Sequence, residues 1–128
     1  MHPMSIPHLK HAAPYPSIVG AVLAQLREQR GMQQLELAGK LGLSPSTWSR
    51  IERGALALTL EQLAAAADAL KTSPGEILTR ADKAATRIRQ QGVTVRRERG
   101  TDALSEGEVL LGTAALIVLI AAACGKLK

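Results

Sequence analysis

The chain has 128 residues and one cysteine, Cys124, which is room for one domain with appendages and excludes an internal disulfide or a cysteine-based zinc site. Its only aromatic residues are Tyr15 and Trp48, so a core must be built from Leu, Ile, Val and Ala, a set that favours helices over sheets. The formal charge is +5 but unevenly placed: residues 17–79 balance six basic against six acidic side chains, whereas residues 80–99 hold seven basic ones against Asp82 and Glu98. No Lys/Arg-then-apolar pattern opens the chain, so no secretory leader is expected. A glycine-rich phosphate loop, a metal-ligand cluster and a nucleophile with a base are all missing, so neither enzymatic activity nor a cofactor is expected.

Residues 1–16 contain Pro3, Pro7, Pro14 and Pro16, which forbid a regular helix and predict a disordered arm. His2, His8 and His11 in it are irregularly spaced and lack acidic neighbours, so no metal site is read there. A first helix is predicted over 17–30, with Val19, Val22, Leu23 and Leu26 on one face and Gly31 as its stop. A second runs over 33–41, ended by Gly42. Leu43 carries the chain to Ser44, an N-cap, and Pro45 occupies the first position of a third helix that ends at Arg53 before Gly54. Thr59 and Gln62 form a capping box for a fourth helix, whose buried stripe is Leu60, Leu63, Ala64, Ala67 and Leu70. Ser73, Pro74 and Glu76 open a fifth helix, with Ile77, Ala81, Ala84 and Ile88 on its buried side and Gly92 beyond its end.

Gly92 to Gly100 reads as a basic connector in which Val93 and Val95 alternate with polar residues, allowing a short strand that two copies could pair. Ser105 and Glu108 then form a third capping box ahead of Val109 to Cys124, which is uncharged and almost wholly apolar. The uncharged window before Lys126 is 17 residues. As a helix it reaches about 25 Å against about 30 Å of bilayer hydrocarbon, a gap that snorkelling of Lys126 and local thinning can close. A helix apolar on every side must be buried, and five small helices are too few to envelop it. It either spans the inner membrane or forms the centre of an oligomer. The expected layout is an arm (1–16), a helical domain (17–79), a helix extension with a basic linker (80–104) and an apolar helix (105–128).

The third helix carries the chemistry. Trp48, Ile51 and Ala55 fall on one side of it; Ser46, Ser49, Arg50 and Arg53 fall on the other. Small residues near the start let a helix approach a major groove, and an arginine can reach a guanine edge with two parallel hydrogen bonds. Arg50 is the expected base reader, with Ser46, Thr47 and Ser49 as lesser ones; the alternative is that Arg50 touches only phosphate.

Gln34, Leu37-Ala38, Gly42, the Ser44 cap and the ending Ser49-Arg50-Ile51-Glu52-Arg53-Gly54 together resemble the helix-turn-helix of the Cro/lambda-repressor (Xre-type) family, and the likeness extends over residues 17–78. The resemblance implies an all-α, five-helix DNA-binding domain in a bacterial or phage cytoplasmic transcriptional regulator, a repressor acting as a homodimer on double-stranded DNA. It implies that Gln34 touches the DNA backbone, a role extended to Gln33 and Arg53, and that Arg27 pairs with Glu52 in a structural salt bridge. Trp48 stands where the family usually has an aliphatic core residue. Pro45 and Ser46 replace longer polar side chains, which leaves a sparse base-reading face, and Leu35 is apolar where a polar residue is usual, which fits a protein partner. The order of helix-turn-helix, basic linker and apolar helix also resembles membrane-anchored adaptors of the RodZ kind, which use this fold to bind protein.

Overall fold

The computed structural model describes residues 10–98, 108–110 and 112–124. The chain runs β1 (Lys10–Pro14), α1 (Tyr15–Gln29), α2 (Gln34–Lys40), α3 (Pro45–Glu52), α4 (Leu60–Ala69), α5 (Pro74–Gln90), β2 (Thr94–Arg96), β3 (Glu108–Leu110) and α6 (Thr113–Cys124). Among the described residues it is mostly helical, with five helices and a sixth at the C-terminal end, but it is not all-α: a three-stranded parallel sheet of order β2-β1-β3 joins them.

The helix starts follow local chemistry. The Ser44 hydroxyl accepts from Thr47 N–H at 3.1 Å, and Thr59 and Gln62 close a full capping box. At Ser73 only half of the box forms: its hydroxyl accepts from Glu76 N–H, while the Glu76 carboxylate accepts from Arg80 one turn on. At the end of α2, Gly42 N–H bonds Gly39 O and Leu43 N–H bonds Ala38 O, with Gly42 at φ +70°. That pair of bonds satisfies the last carbonyls and turns the chain toward α3.

α1 is the central helix. Its predicted stripe is buried against α3 and α5, and Ile18, Ala21 and Ala24 on its remaining sides are buried as well, because β1 and α6 also pack on it. Of the stripe predicted for α4, Leu63, Ala67 and Leu70 are buried, whereas Leu60 and Ala64 are exposed. Ala55 is exposed too, since Gly54 ends α3 and turns the chain away.

The two ends of the chain depart most from expectation. Residues 10–14 of the expected arm are the middle strand of the sheet, and residues 15 and 16 open α1 with Pro16 in its first turn, where proline is compatible with a helix. β1 pairs in parallel with β2 (Ala12 with Thr94) on one side and with β3 (Lys10 with Glu108) on the other. Parallel strands need a crossover, and here the whole helical domain supplies it between β1 and β2. The Val93–Val95 stretch is thus paired within its own chain. Residues 1–9, Arg99 to Ser105 and Lys126 lie outside the described residues.

The apolar tail is also divided differently. Glu108, Val109 and Leu110 are strand, and the helix starts only at Thr113, after Gly112. α6 has 12 residues, about 18 Å, and no helix among the described residues is long and apolar enough to cross a membrane. It lies on α1 and α5, with Leu116 and Ile120, one turn apart, fully covered. The expectation of a membrane span over Val109 to Cys124 therefore finds no support among the described residues: pairing with β1 draws in its first residues, and the helices of the same chain cover one side of the rest.

The Tyr15 hydroxyl ties the start of α1 to α5 by donating to Asp82 Oδ1 at 2.6 Å. Burial, then that hydrogen bond, then the Asp82 charge push its pKa up to about 12. A pKa above the unfolded value of about 10 means that the folded state holds this proton more tightly. The stabilisation is complete below about pH 10 and is lost as pH rises toward 12. Absorbance titration of this only tyrosine should therefore show late phenolate formation, and Tyr15→Phe should remove that alkaline loss of stability.

Candidate nucleic-acid interface

α3 presents two chemically opposed faces. Trp48, Ile51 and Glu52 are buried; Ser46, Arg50 and Arg53 are exposed, and Ser49 is half-buried. Among the described residues the Arg50 side chain has no hydrogen-bond or ion-pair partner, so its guanidinium is available. Arg53 Nε leans back on Ser49 O at 3.4 Å, and the half-buried Thr47 hydroxyl accepts from Ser44 Oγ at 2.9 Å within the helix cap. Thr47 is thus turned more to the cap than Ser46 is. Gln33 is exposed at the N-cap of α2.

The buried face is organised by one carboxylate. Glu52 is 2% exposed and accepts four hydrogen bonds. Arg27 of α1 donates from Nε to Oε2 at 2.6 Å and from Nη2 to Oε1 at 3.1 Å. Gln34 of α2 donates to Oε1 at 2.7 Å, and Trp48 Nε1 donates to Oε2 at 2.6 Å. Arg27 Nη1 is satisfied in turn by Met32 O at 2.8 Å. A buried ion pair persists only when its remaining donors and acceptors are met, and here they are. Glu52 therefore links α1, α2 and α3. Gln34, expected to face DNA phosphate, gives one of its two amide N–H donors to this network, because its position in the first turn of α2 lies over the Glu52 carboxylate.

Two glycines set the depth of α3. A Cβ on Gly20 of α1 would come within 2.5 Å of Ile51 O and closer still to Glu52 O. Gly54 has φ +76°, and a Cβ there would strike Ser17, whose hydroxyl donates to Arg53 O at 3.1 Å. The role of Gly20 was missed in the sequence, although a signal exists: glycine inside a helix costs about 1 kcal/mol relative to alanine, and such a residue often marks a close approach.

The result is a rigid α2–turn–α3 unit whose cationic, small-residue face points to solvent. A family model described as a helix-turn-helix domain matches residues 18–79. Among solved structures, the clp gene regulator ClgR from Corynebacterium glutamicum is 31% identical, with TM-score 0.57, over 60% of this chain and 83% of that one. This chain belongs to the Xre-type helix-turn-helix family of DNA-binding transcriptional regulators. A second ClgR structure is 32% identical, with TM-score 0.51, over 53% of this chain and 88% of that one. A point mutant of the restriction-modification controller protein C.Esp1396I is 29% identical, with TM-score 0.52, over 56% of this chain and 94% of that one. Among curated proteins none matches. In this family member the matched region holds α2, α3, α4 and nearly all of α1, whereas β1, β2, β3 and α6 lie outside it.

Proposed function

We propose that this helix-turn-helix protein is a sequence-specific repressor that binds operator DNA as a homodimer in the cytoplasm, with α3 of each copy in a major groove. The exposed Arg50, without a side-chain partner among the described residues and set beside Ser46, Ser49 and Arg53, carries this reading. Arg50 reads a base edge, Ser46 and Ser49 make lesser base contacts, and Thr47 contributes mainly through the cap. Gln33, Gln34 and Arg53 hold phosphates, Gln34 with the amide hydrogen left over while the other locks α2 to Glu52. The basic stretch from Arg80 to Arg99 adds salt-dependent, sequence-independent affinity. The adaptor alternative needed an apolar helix leading away into a membrane, and α6 folds back on α1 and α5 instead.

Arg50→Ala tests this. Binding of the full chain to its own promoter DNA should weaken by about 1–3 kcal/mol, with binding to unrelated DNA unchanged at the same salt. Equal losses on both DNAs would make Arg50 a phosphate contact. No loss on either would remove it from the interface.

A further inference from the structure

Part of the excess positive charge in residues 80–99 has a fixed direction in the fold. Leu78 of α5 lines an apolar groove together with Ile51, which lies on the buried side of α3. Leu78 therefore marks the side of α5 that looks toward α3. At 3.6 residues per turn, Arg80, Lys83 and Arg87 stand roughly half a turn around α5 from Leu78. They form one row at spacings of three and four residues, about 5 Å apart along the helix axis. Lys83 and Arg87 are exposed, and the half-buried Arg80 pairs with Glu76 at 3.3 Å. The other acid of α5, Asp82, stands one turn from Leu78 and accepts from the Tyr15 hydroxyl. On α5 itself the row thus sets three cations against the single carboxylate of Glu76. Arg50 faces the other way: it shares the solvent side of α3 with Ser46 and Arg53, opposite Trp48 and Ile51. α1 packs on both α3 and α5, so the body of the domain separates the two cationic faces.

We propose that the α5 row binds the phosphate backbone of a second DNA duplex, so that one chain holds two duplexes, one read by α3 and one bound without regard to sequence. The inference rests on the DNA reading of α3 and gives the basic stretch its target. A duplex seated on Arg50 lies on the far side of α1 from the row, so the row serves a different one. A line of cations at turn spacing suits a chain of phosphates, one about every 3.4 Å along each strand, better than a single small anion. Single-stranded nucleic acid is held largely by bases stacked on aromatic rings. The chain has only Trp48, which is buried, and Tyr15, which is half-buried and tied to Asp82. The row therefore fits a duplex backbone.

A capture experiment tests this. Beads carrying the promoter duplex are loaded with the full chain and then offered a labelled duplex of unrelated sequence. The wild type should capture the second duplex, and capture should weaken steeply as salt rises. Lys83→Glu reverses the central charge of the row and offers Arg87 a carboxylate one turn away. It should lower capture per retained protein by about tenfold or more, with circular dichroism and Trp48 emission unchanged because Lys83 is exposed. Arg89→Glu makes the same charge change at an exposed site on the Leu78 side of α5, and should cost at most about twofold. No capture by the wild type, capture that Lys83→Glu leaves unchanged, or equal losses from the two variants would overturn the proposal. So would Lys83-dependent flotation with vesicles of anionic lipid in the absence of any DNA capture. Promoter binding through Arg50 without capture would sink the second site and leave the DNA reading standing; Lys83-dependent retention of duplexes with no preference for the promoter would do the reverse.

Discussion

Glu52→Gln is expected to destabilise the protein by about 3–5 kcal/mol, a large share of the 5–15 kcal/mol typical of a folded domain. The substitution keeps the size and shape of the side chain and removes its charge. Arg27, 8% exposed, then keeps as counter-charge only the exposed Glu28 carboxylate, 3.8 Å from its Nη2. One end of the amide must also present N–H groups to donors. If its oxygen stays with Gln34 and Arg27 Nη2, its nitrogen meets Arg27 Nε and Trp48 Nε1 head on. Denaturant unfolding followed by circular dichroism measures the loss. A companion variant separates charge from packing: Arg27→Met with Glu52→Leu should regain part of the stability, because it removes both charges, while the buried Trp48 Nε1–H, left without its acceptor, still costs about 1–3 kcal/mol. A single-variant loss below about 1 kcal/mol would mean that the pair behaves like a surface one. DNA binding should fall with stability in Glu52→Gln, since the carboxylate holds α1, α2 and α3 in one arrangement.

Gly20→Ala should destabilise by about 2–3 kcal/mol, although alanine is the better helix former by about 1 kcal/mol. The added methyl has no rotamer with which to avoid the Ile51 and Glu52 carbonyls. Those carbonyls are backbone, at the end of a helix fixed by its own hydrogen bonds, so α3 as a whole must move outward. A displaced α3 carries Arg50 with it, and affinity for promoter DNA should drop even in the fraction that stays folded. Gly39→Ala is the matched control: nothing lies within 4 Å of a Cβ there, in the exposed last turn of α2. It should gain about 1 kcal/mol. Opposite signs for one chemical change, measured by the same denaturation experiment, would show that helix contact and not helix propensity governs position 20. A gain at both positions would contradict the close approach.

Much of the helix-turn-helix is legible before folding because its signals are local. A serine cap followed by proline, a capping box at Thr59, and Gly42 and Gly54 at left-handed turns each concern residues within one turn of each other. The opposed faces of α3 follow from helical periodicity in the same way. The Arg27–Glu52 pairing came from the family resemblance, not from spacing, and the structure adds what the resemblance did not carry: Gln34 and Trp48 share the same carboxylate.

By itself, then, the sequence determined the recognition unit: where its helices begin and stop, which face is cationic, and where the excess positive charge lies. Only the tertiary structure decided the fate of the ends. β1 has the sequence KHAAP, with no β-branched residue to mark a strand, and its partners come from the far end of the chain. A parallel pairing of such segments is formed by packing, through a crossover that no local pattern encodes. The same holds for α6, which is apolar all round and is given a direction only by the faces of α1 and α5 that it covers, and for Gly20, whose missing side chain matters only because α3 lies against it.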